Sequence, residues 1–191
     1  MNEDRGFNHS LETPLLKYLW ASSPLNLNFV PDYHQYFKKM RLLDSFTDHE
    51  IRIFTRYLIK RVFQQDEVIF HQGETGYGIY FIFSGLVTIY SNFDEKNSRG
   101  DEILTLKSSE YFGEMGLLEN FNKRTASAVA KETTVLLGLF KPDLEKLLEQ
   151  HPVIGAKFLR ETALIMAGRI GDLTKEMMKL RKIIVDLEKS K

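Results

Sequence analysis

Glu114 and Arg124 lie in one short stretch between Tyr111 and Ala130, and their side chains have complementary uses. A carboxylate accepts strongly from a sugar hydroxyl, whereas a guanidinium forks onto a phosphate. The pair therefore suits a small ligand that carries both groups. Gly113, directly before the glutamate, lets backbone approach such a ligand closely. The apolar run Met115 to Leu118 predicts one helical turn whose free N–H groups face an anion. Without a ligand, Arg124 is expected to be a partly buried charge with only Glu114 or water to satisfy it, a costly arrangement.

The order Phe112-Gly113-Glu114-Met115-Gly116-Leu117-Leu118, followed by Arg124-Thr125-Ala126-Ser127, resembles the phosphate-binding cassette of cyclic nucleotide-binding domains. The resemblance implies that Glu114 takes a ribose 2′-hydroxyl and Arg124 a cyclic phosphate. It also implies backbone contacts from Gly113, Met115 and Ala126, with Thr125 offering a hydroxyl to phosphate or base. The interval from Glu114 to Arg124 resembles that of bacterial catabolite activators and is one residue longer than is usual in kinase regulatory subunits. Gly73 and Gly85 match family glycines. Two departures concern turns: Tyr77 stands where an acidic residue is common, and Ser109-Glu110 replaces a Gly-Asp pair.

The elements that must position this stretch are mostly short strands. Ile59 to Phe63, Glu67 to Phe70, Ile79 to Phe83, Leu86 to Tyr90, Glu102 to Leu106, Thr125 to Lys131 and Thr133 to Phe140 are rich in Val, Ile, Thr and aromatics. Turns at Gln72-Gly73, Ser84-Gly85 and Asn97 to Gly100 separate them. Many short strands between glycine turns predict a sandwich or barrel, and the order resembles the family's eight-stranded jelly roll. The expected class is α+β, with N-terminal helices before the roll and a long helix after it.

Those leading helices are predicted from Asp32 to Leu43 and from a capping box, Thr47-Asp48-His49-Glu50, that starts a helix through Ile51, Phe54 and Leu58. Thr13-Pro14 opens a short amphipathic helix through Leu15, Leu16, Leu19 and Trp20. Its apolar face needs a partner, either its own domain or another protein. Lys141-Pro142-Asp143 begins a helix that His151-Pro152 ends. The expected organisation is thus an arm over 1–31, a ligand-binding roll over 32–152 and a terminal helix over 153–191.

Along that terminal segment Leu159, Ala163, Met166, Ile170, Leu173, Met177, Leu180, Ile184 and Leu187 alternate steps of four and three. Leucine fills four of the five d positions, which favours a parallel two-stranded coiled coil, with Glu176 and Arg181 in a g–e′ pair. Before Ile170, packing on the roll is an equal alternative. Gly168 and Gly171 lie off the seam and each costs about 1 kcal/mol of helix stability against alanine. They mark either a close approach of the helix or a hinge. By resemblance to the bacterial activators, whose dimer helix abuts the purine, Leu173 and Thr174 fall near the base, with Asp172 close by.

Composition narrows the function classes. Lys plus Arg equals Asp plus Glu, 26 each, so no broad field attracts nucleic acid or an anionic membrane. With no cysteine there is no thiolate nucleophile, disulfide or zinc–cysteine site. His9, His34, His49, His71 and His151 are dispersed, which argues against a metal-dependent enzyme on the same roll. The opening residues lack the features of a signal peptide and no run is apolar enough to span a bilayer, so a cytoplasmic location is expected. The segment 153–191 holds nine basic and five acidic residues with no recognition helix after it, so direct DNA reading is not expected.

The resulting expectation is a non-enzymatic receptor for cyclic AMP or cyclic GMP, without a cofactor, that passes ligand binding through its terminal helix to an unidentified protein effector as a parallel homodimer. The alternative is a ligand-independent interaction module on the same fold. Base preference is open. Thr125 after the cassette arginine resembles cyclic GMP-selective kinase sites, although a serine or threonine there also serves cyclic AMP receptors. A carboxylate such as Asp172 can accept from guanine N1–H and N2–H. The spacing that resembles the bacterial activators favours cyclic AMP as first expectation.

Overall fold

The computed structural model describes residues 33–97, 99–118 and 123–189. The arm over 1–31, with its expected helix, lies outside the described residues. Eight strands form two four-stranded antiparallel sheets: β1 (Ile59–Phe63), β2 (Val68–Phe70), β3 (Gly78–Ser84), β4 (Leu86–Asp94), β5 (Arg99–Lys107), β6 (Tyr111–Phe112), β7 (Ser127–Ala130) and β8 (Thr134–Phe140). Their spatial orders are β1-β8-β3-β6 and β2-β7-β4-β5. This is the expected jelly roll, and its eighth strand is the two-residue β6, paired with Tyr80 and Phe81 of β3.

The first sheet is buried on both faces, which explains why β3 and β8 are apolar at successive positions rather than alternating. Ile79, Phe81, Leu137 and Leu139 point to a core shared with the helices. Tyr80, Ile82 and Leu136 point into the sandwich, against Phe63, Phe70, Phe112 and Ala128. By contrast β5 is an almost wholly exposed edge.

Among the described residues five α-helices complete the frame: α1 (His34–Phe37), α2 (Asp48–Phe54), α3 (Met115–Leu118), α4 (Lys141–Gln150) and α5 (Pro152–Lys189). The capping box at the start of α2 is complete, with Thr47 Oγ1 accepting from the Glu50 amide and Glu50 Oε2 accepting from the Thr47 amide at 2.8 Å. The single helix expected over Asp32 to Leu43 is corrected to α1 plus a 3₁₀ turn at Arg41–Leu43. Met40 is extended between them and buries its side chain, so core packing overrides helical continuity.

Two of the sequence's turn features have a clear physical outcome. Gly85 has a φ of 99°, and a Cβ there would meet Thr134, so glycine is required. Ser109 keeps a left-handed φ of 72° at a position where the resemblance implied glycine. The turn survives the departure because the Ser109 amide donates to the Ile82 carbonyl and Glu110 Oε2 accepts from the Lys107 amide.

α5 is one continuous helix of 38 residues, roughly 57 Å long at a rise of about 1.5 Å per residue. Ile154, Phe158 and Thr162 seat its first part in the core under α1, α2 and α4. Lys157 adds an ion pair to Glu50 at 2.7 Å. Beyond Ile170 the helix leaves large apolar side chains exposed, Met177, Leu180, Ile184 and Leu187 among them.

Candidate functional site

Arg124 is threaded through a cage of backbone. Its residue is only 8% exposed, and its guanidinium donates from Nη1 to the Gly113 carbonyl at 2.9 Å and from Nη2 to the Gly78 carbonyl at 3.0 Å. Phe70 lies under its face, 4.1 Å from ring centroid to guanidinium carbon. The cage exists because three glycines line it: a Cβ on Gly76, Gly113 or Gly116 would come within 2.8 Å of the guanidinium. Gly113 additionally needs its φ of 81°. Two further backbone bonds fix the base of the side chain, from the Arg124 amide to the Glu74 carbonyl at 2.7 Å and from the Gly73 amide to the Arg124 carbonyl at 2.8 Å.

This corrects the expectation that Arg124 depends on Glu114 or water. Two carbonyls and an aromatic face hold the charge, which offsets part of its desolvation. Burial still pushes the guanidinium below its ordinary value, while Tyr80, Glu74 and Glu114 act in the opposite direction. A guanidinium has five N–H donors, and the remaining ones of Arg124 make no hydrogen bond to the described residues.

Glu114 is also buried, and its partner comes from a different element. Arg169 of α5 donates from Nη1 to Glu114 Oε1, across 55 positions of sequence. The Arg169 guanidinium lies 5.3 Å from the Tyr111 ring centroid. Glu114 Oε2 makes no hydrogen bond to the described residues. The α3 turn that follows uses its own amides locally: Gly116 donates to Gly113 and Leu117 to Glu114, each at 3.0 Å. Leu117 anchors the turn in the helical core.

Both charges border one cavity of about 500 Å³. Gly113, Glu114, Met115, Arg124, Thr125, Ala126 and Leu173 all line it, as does Asp172. Thr174 does not. One residue further along a helix turns the side chain by about 100°, and its hydroxyl donates to the Ile170 carbonyl at 2.8 Å instead. Ile89 of β4 with Leu104 and Leu106 of β5 add apolar lining.

Sequence reasoning missed Gly76 and Gly78 as parts of the arginine cage, and Lys123, Arg169 and Glu176 as lining groups. Only periodicity could have signalled the last two, since Arg169, Asp172, Leu173 and Glu176 share one helical face. Gly168 and Gly171 have open space where a Cβ would stand, so no close approach requires them. Among the described residues there is no cluster of three His, Cys, Asp or Glu able to hold a metal, and no helix long and apolar enough to cross a membrane.

Residues 60–151 match the family described as cyclic nucleotide-binding domain. The chain is 31% identical over 136 residues to the cyclic AMP receptor protein of Thermus thermophilus, covering 71% of this chain and 60% of that protein. It is 30% identical to a cAMP-dependent protein kinase regulatory subunit of Hypocrea atroviridis, covering 68% of this chain and 26% of that protein. The crystal structure of the Thermus thermophilus catabolite activator protein superposes with a TM-score of 0.64 at 30% identity, over 73% of this chain and 62% of that one. The chain thus spans less than two thirds of the length of each of these relatives.

Proposed function

Residues 60–151 make this chain a member of the cyclic nucleotide-binding domain family, and from that premise we propose that it is a receptor for a cyclic purine mononucleotide. The observation that carries the reading is the caged Arg124 and the buried Glu114 on the border of one cavity. A cyclic phosphate has the charge and size for the free donors of Arg124. Glu114 Oε2 is the acceptor for a ribose hydroxyl, and Gly113, Met115, Thr125 and Ala126 complete the cradle. Leu173 faces the base.

Output runs through α5. Arg169 and a ribose hydroxyl use the two oxygens of one carboxylate, so nucleotide occupancy and the placement of α5 are thermodynamically linked. The reach of that link depends on how differently the nucleotide binds the two helix placements. Beyond the cavity, the exposed apolar seam from Ile170 to Leu187 fits a parallel pairing with a second copy, which presents the signal to a protein effector.

One observation favours the alternative of a ligand-independent module. Arg124 and Glu114 both have protein partners already, through Gly78, Gly113 and Arg169. Calorimetric titration of the folded chain, freed of copurified nucleotide, with cyclic AMP and cyclic GMP separates the two readings. A receptor binds at least one of them, and ligand at a hundred times its Kd adds about 2.7 kcal/mol of stability. Arg124→Ala should weaken binding by about 2–5 kcal/mol. Binding of neither nucleotide supports the module.

A further inference from the structure

With Ile170, Met177 and Ile184 on the a positions of the terminal heptads, a second alternation of steps of three and four runs along α5, offset from the first by one residue. Leu164, Ala167, Gly171, Thr174, Met178 and Val185 hold its b and e positions, with Arg181 the one charged member. Leu164, Met178 and Val185 are 54, 65 and 38% exposed. At about 100° per residue this second seam points roughly half a turn away from Phe158, Thr162, Arg169 and Asp172. It therefore faces neither the helical core nor the cavity. Pairing of two helices through the first seam leaves it outside as well, because b positions lie beyond the contact of a two-stranded coil.

The seam is suited to the close approach of another helix. Gly171 costs α5 about 1 kcal/mol against alanine. A Cβ there would meet nothing within 4 Å, so the fold of this chain does not require the glycine, whereas a helix laid against it would gain room. The Thr174 hydroxyl is already bonded to the Ile170 carbonyl at 2.8 Å, so covering it strands no donor. Along the outer flank, on the f positions, stand Lys175, Lys182 and Lys189, one per heptad and roughly 10 Å apart. The charges that flank a helical seam set which partner it accepts.

We propose that this second seam is the docking surface for the effector, and that the effector presents an amphipathic helix whose apolar stripe is flanked by Asp and Glu. A second copy of α5 is a poor occupant: antiparallel docking sets lysine against lysine, and parallel docking sets lysine against the apolar a positions. A lipid surface fits poorly too. Residues 175–189 hold five basic and three acidic side chains, a surplus of two, and the stripe is narrow. The assignment rests on the reading above for the role of effector, while the docking itself needs no nucleotide.

The probe is a helical peptide of about four heptads with leucine along its seam and glutamate on both flanks, alongside a twin with lysine on the flanks. Titrated into the full chain and read by fluorescence anisotropy, the glutamate peptide should bind about tenfold more tightly than the twin. Met178→Asp should weaken it about tenfold. Lys175→Glu combined with Lys182→Glu should reverse the preference in favour of the lysine twin. All three positions are exposed, so these variants keep the fold, which circular dichroism checks. Because the chain has no cysteine, Met178→Cys supplies a unique thiol. It should form a disulfide with a cysteine in the peptide seam, whereas Asp172→Cys on the cavity face should not.

Equal binding of the two peptides, or binding unmoved by Met178→Asp, overturns the proposal. Self-association beyond a dimer that Met178→Asp abolishes also overturns it and assigns the seam to a second copy. Binding to phosphatidylserine vesicles in place of the peptide assigns the seam to a lipid surface, with the same result. Absence of cyclic nucleotide binding with the peptide preference intact would overturn the receptor reading and leave the docking surface standing.

Discussion

One stripe of α5, taken at steps of four and three, runs through Phe158, Thr162, Ile165, Arg169, Asp172 and Glu176, and its two halves differ completely in chemistry. The first three pack into the helical core, Phe158 and Thr162 fully and Ile165 in part. The last three are charged and border the cavity. The change falls where the helix leaves the core and passes the cassette. A helix face takes its chemistry from what it crosses, so a single element here is packed into the core at one end and presents charges to the cavity at the other.

The largest effect that could break this contrast is expected in the clamped half. Phe158 is fully buried among Phe54 and its neighbours, so Phe158→Ala should destabilise the fold by about 3–5 kcal/mol, read from the urea midpoint. The charged half should differ sharply: Asp172→Asn should stay within about 0.5 kcal/mol. Comparable losses at both positions would mean that the distal half is also part of the folded core.

Next in size is the link between the halves. A double-mutant cycle of Glu114→Gln and Arg169→Ala should give a coupling of about 1 kcal/mol. Burial of Glu114 raises the value and the half-exposed Arg169 side chain lowers it. Zero coupling would remove the structural basis for the proposed transmission through α5.

The clamp also carries a pH signature. Lys157 and the Thr47 amide hold the Glu50 carboxyl below its ordinary value, with the lysine hydrogen bond the larger cause. A depressed folded pKa gives stability that is present above the unfolded value, about 4.3, and is lost as pH falls through the folded one. Lys157→Met should therefore flatten the stability curve below about pH 4.3. An unchanged slope would assign the acid response elsewhere, for example to Asp48 beside Lys38.

How much of this was legible in the sequence depended on how local each cause is. The capping box of α2 needs only Thr47 and Glu50, and it was readable in full. Strand β6 was missed because two residues carry no periodicity, and only pairing with Tyr80 and Phe81 makes them a strand. The cassette could be recognised from its own residues, whereas the groups holding its charges could not. Gly78 lies 46 positions from Arg124, and Arg169 lies 55 from Glu114. The same limit applies to α5: its heptads show a continuous apolar seam, and the adjacent stripe becomes meaningful only once the core and the cavity are placed beside it.

The smallest effect concerns the glycines around the transition point. Gly168 and Gly171 flank Arg169, and a Cβ on either would meet nothing within 4 Å. Alanine should then raise helix stability by about 0.4–1 kcal/mol at each position, because it restricts the unfolded chain without a clash. Hydrogen exchange across 165–175 should slow accordingly. The informative quantity is nucleotide affinity in the same variants. If these glycines let the charged half bend toward or away from the cassette as ligand enters, a stiffer helix changes affinity while stability rises. If affinity stays constant, the helix moves as a rigid rod, and the contrast between its two halves is one of side chains alone.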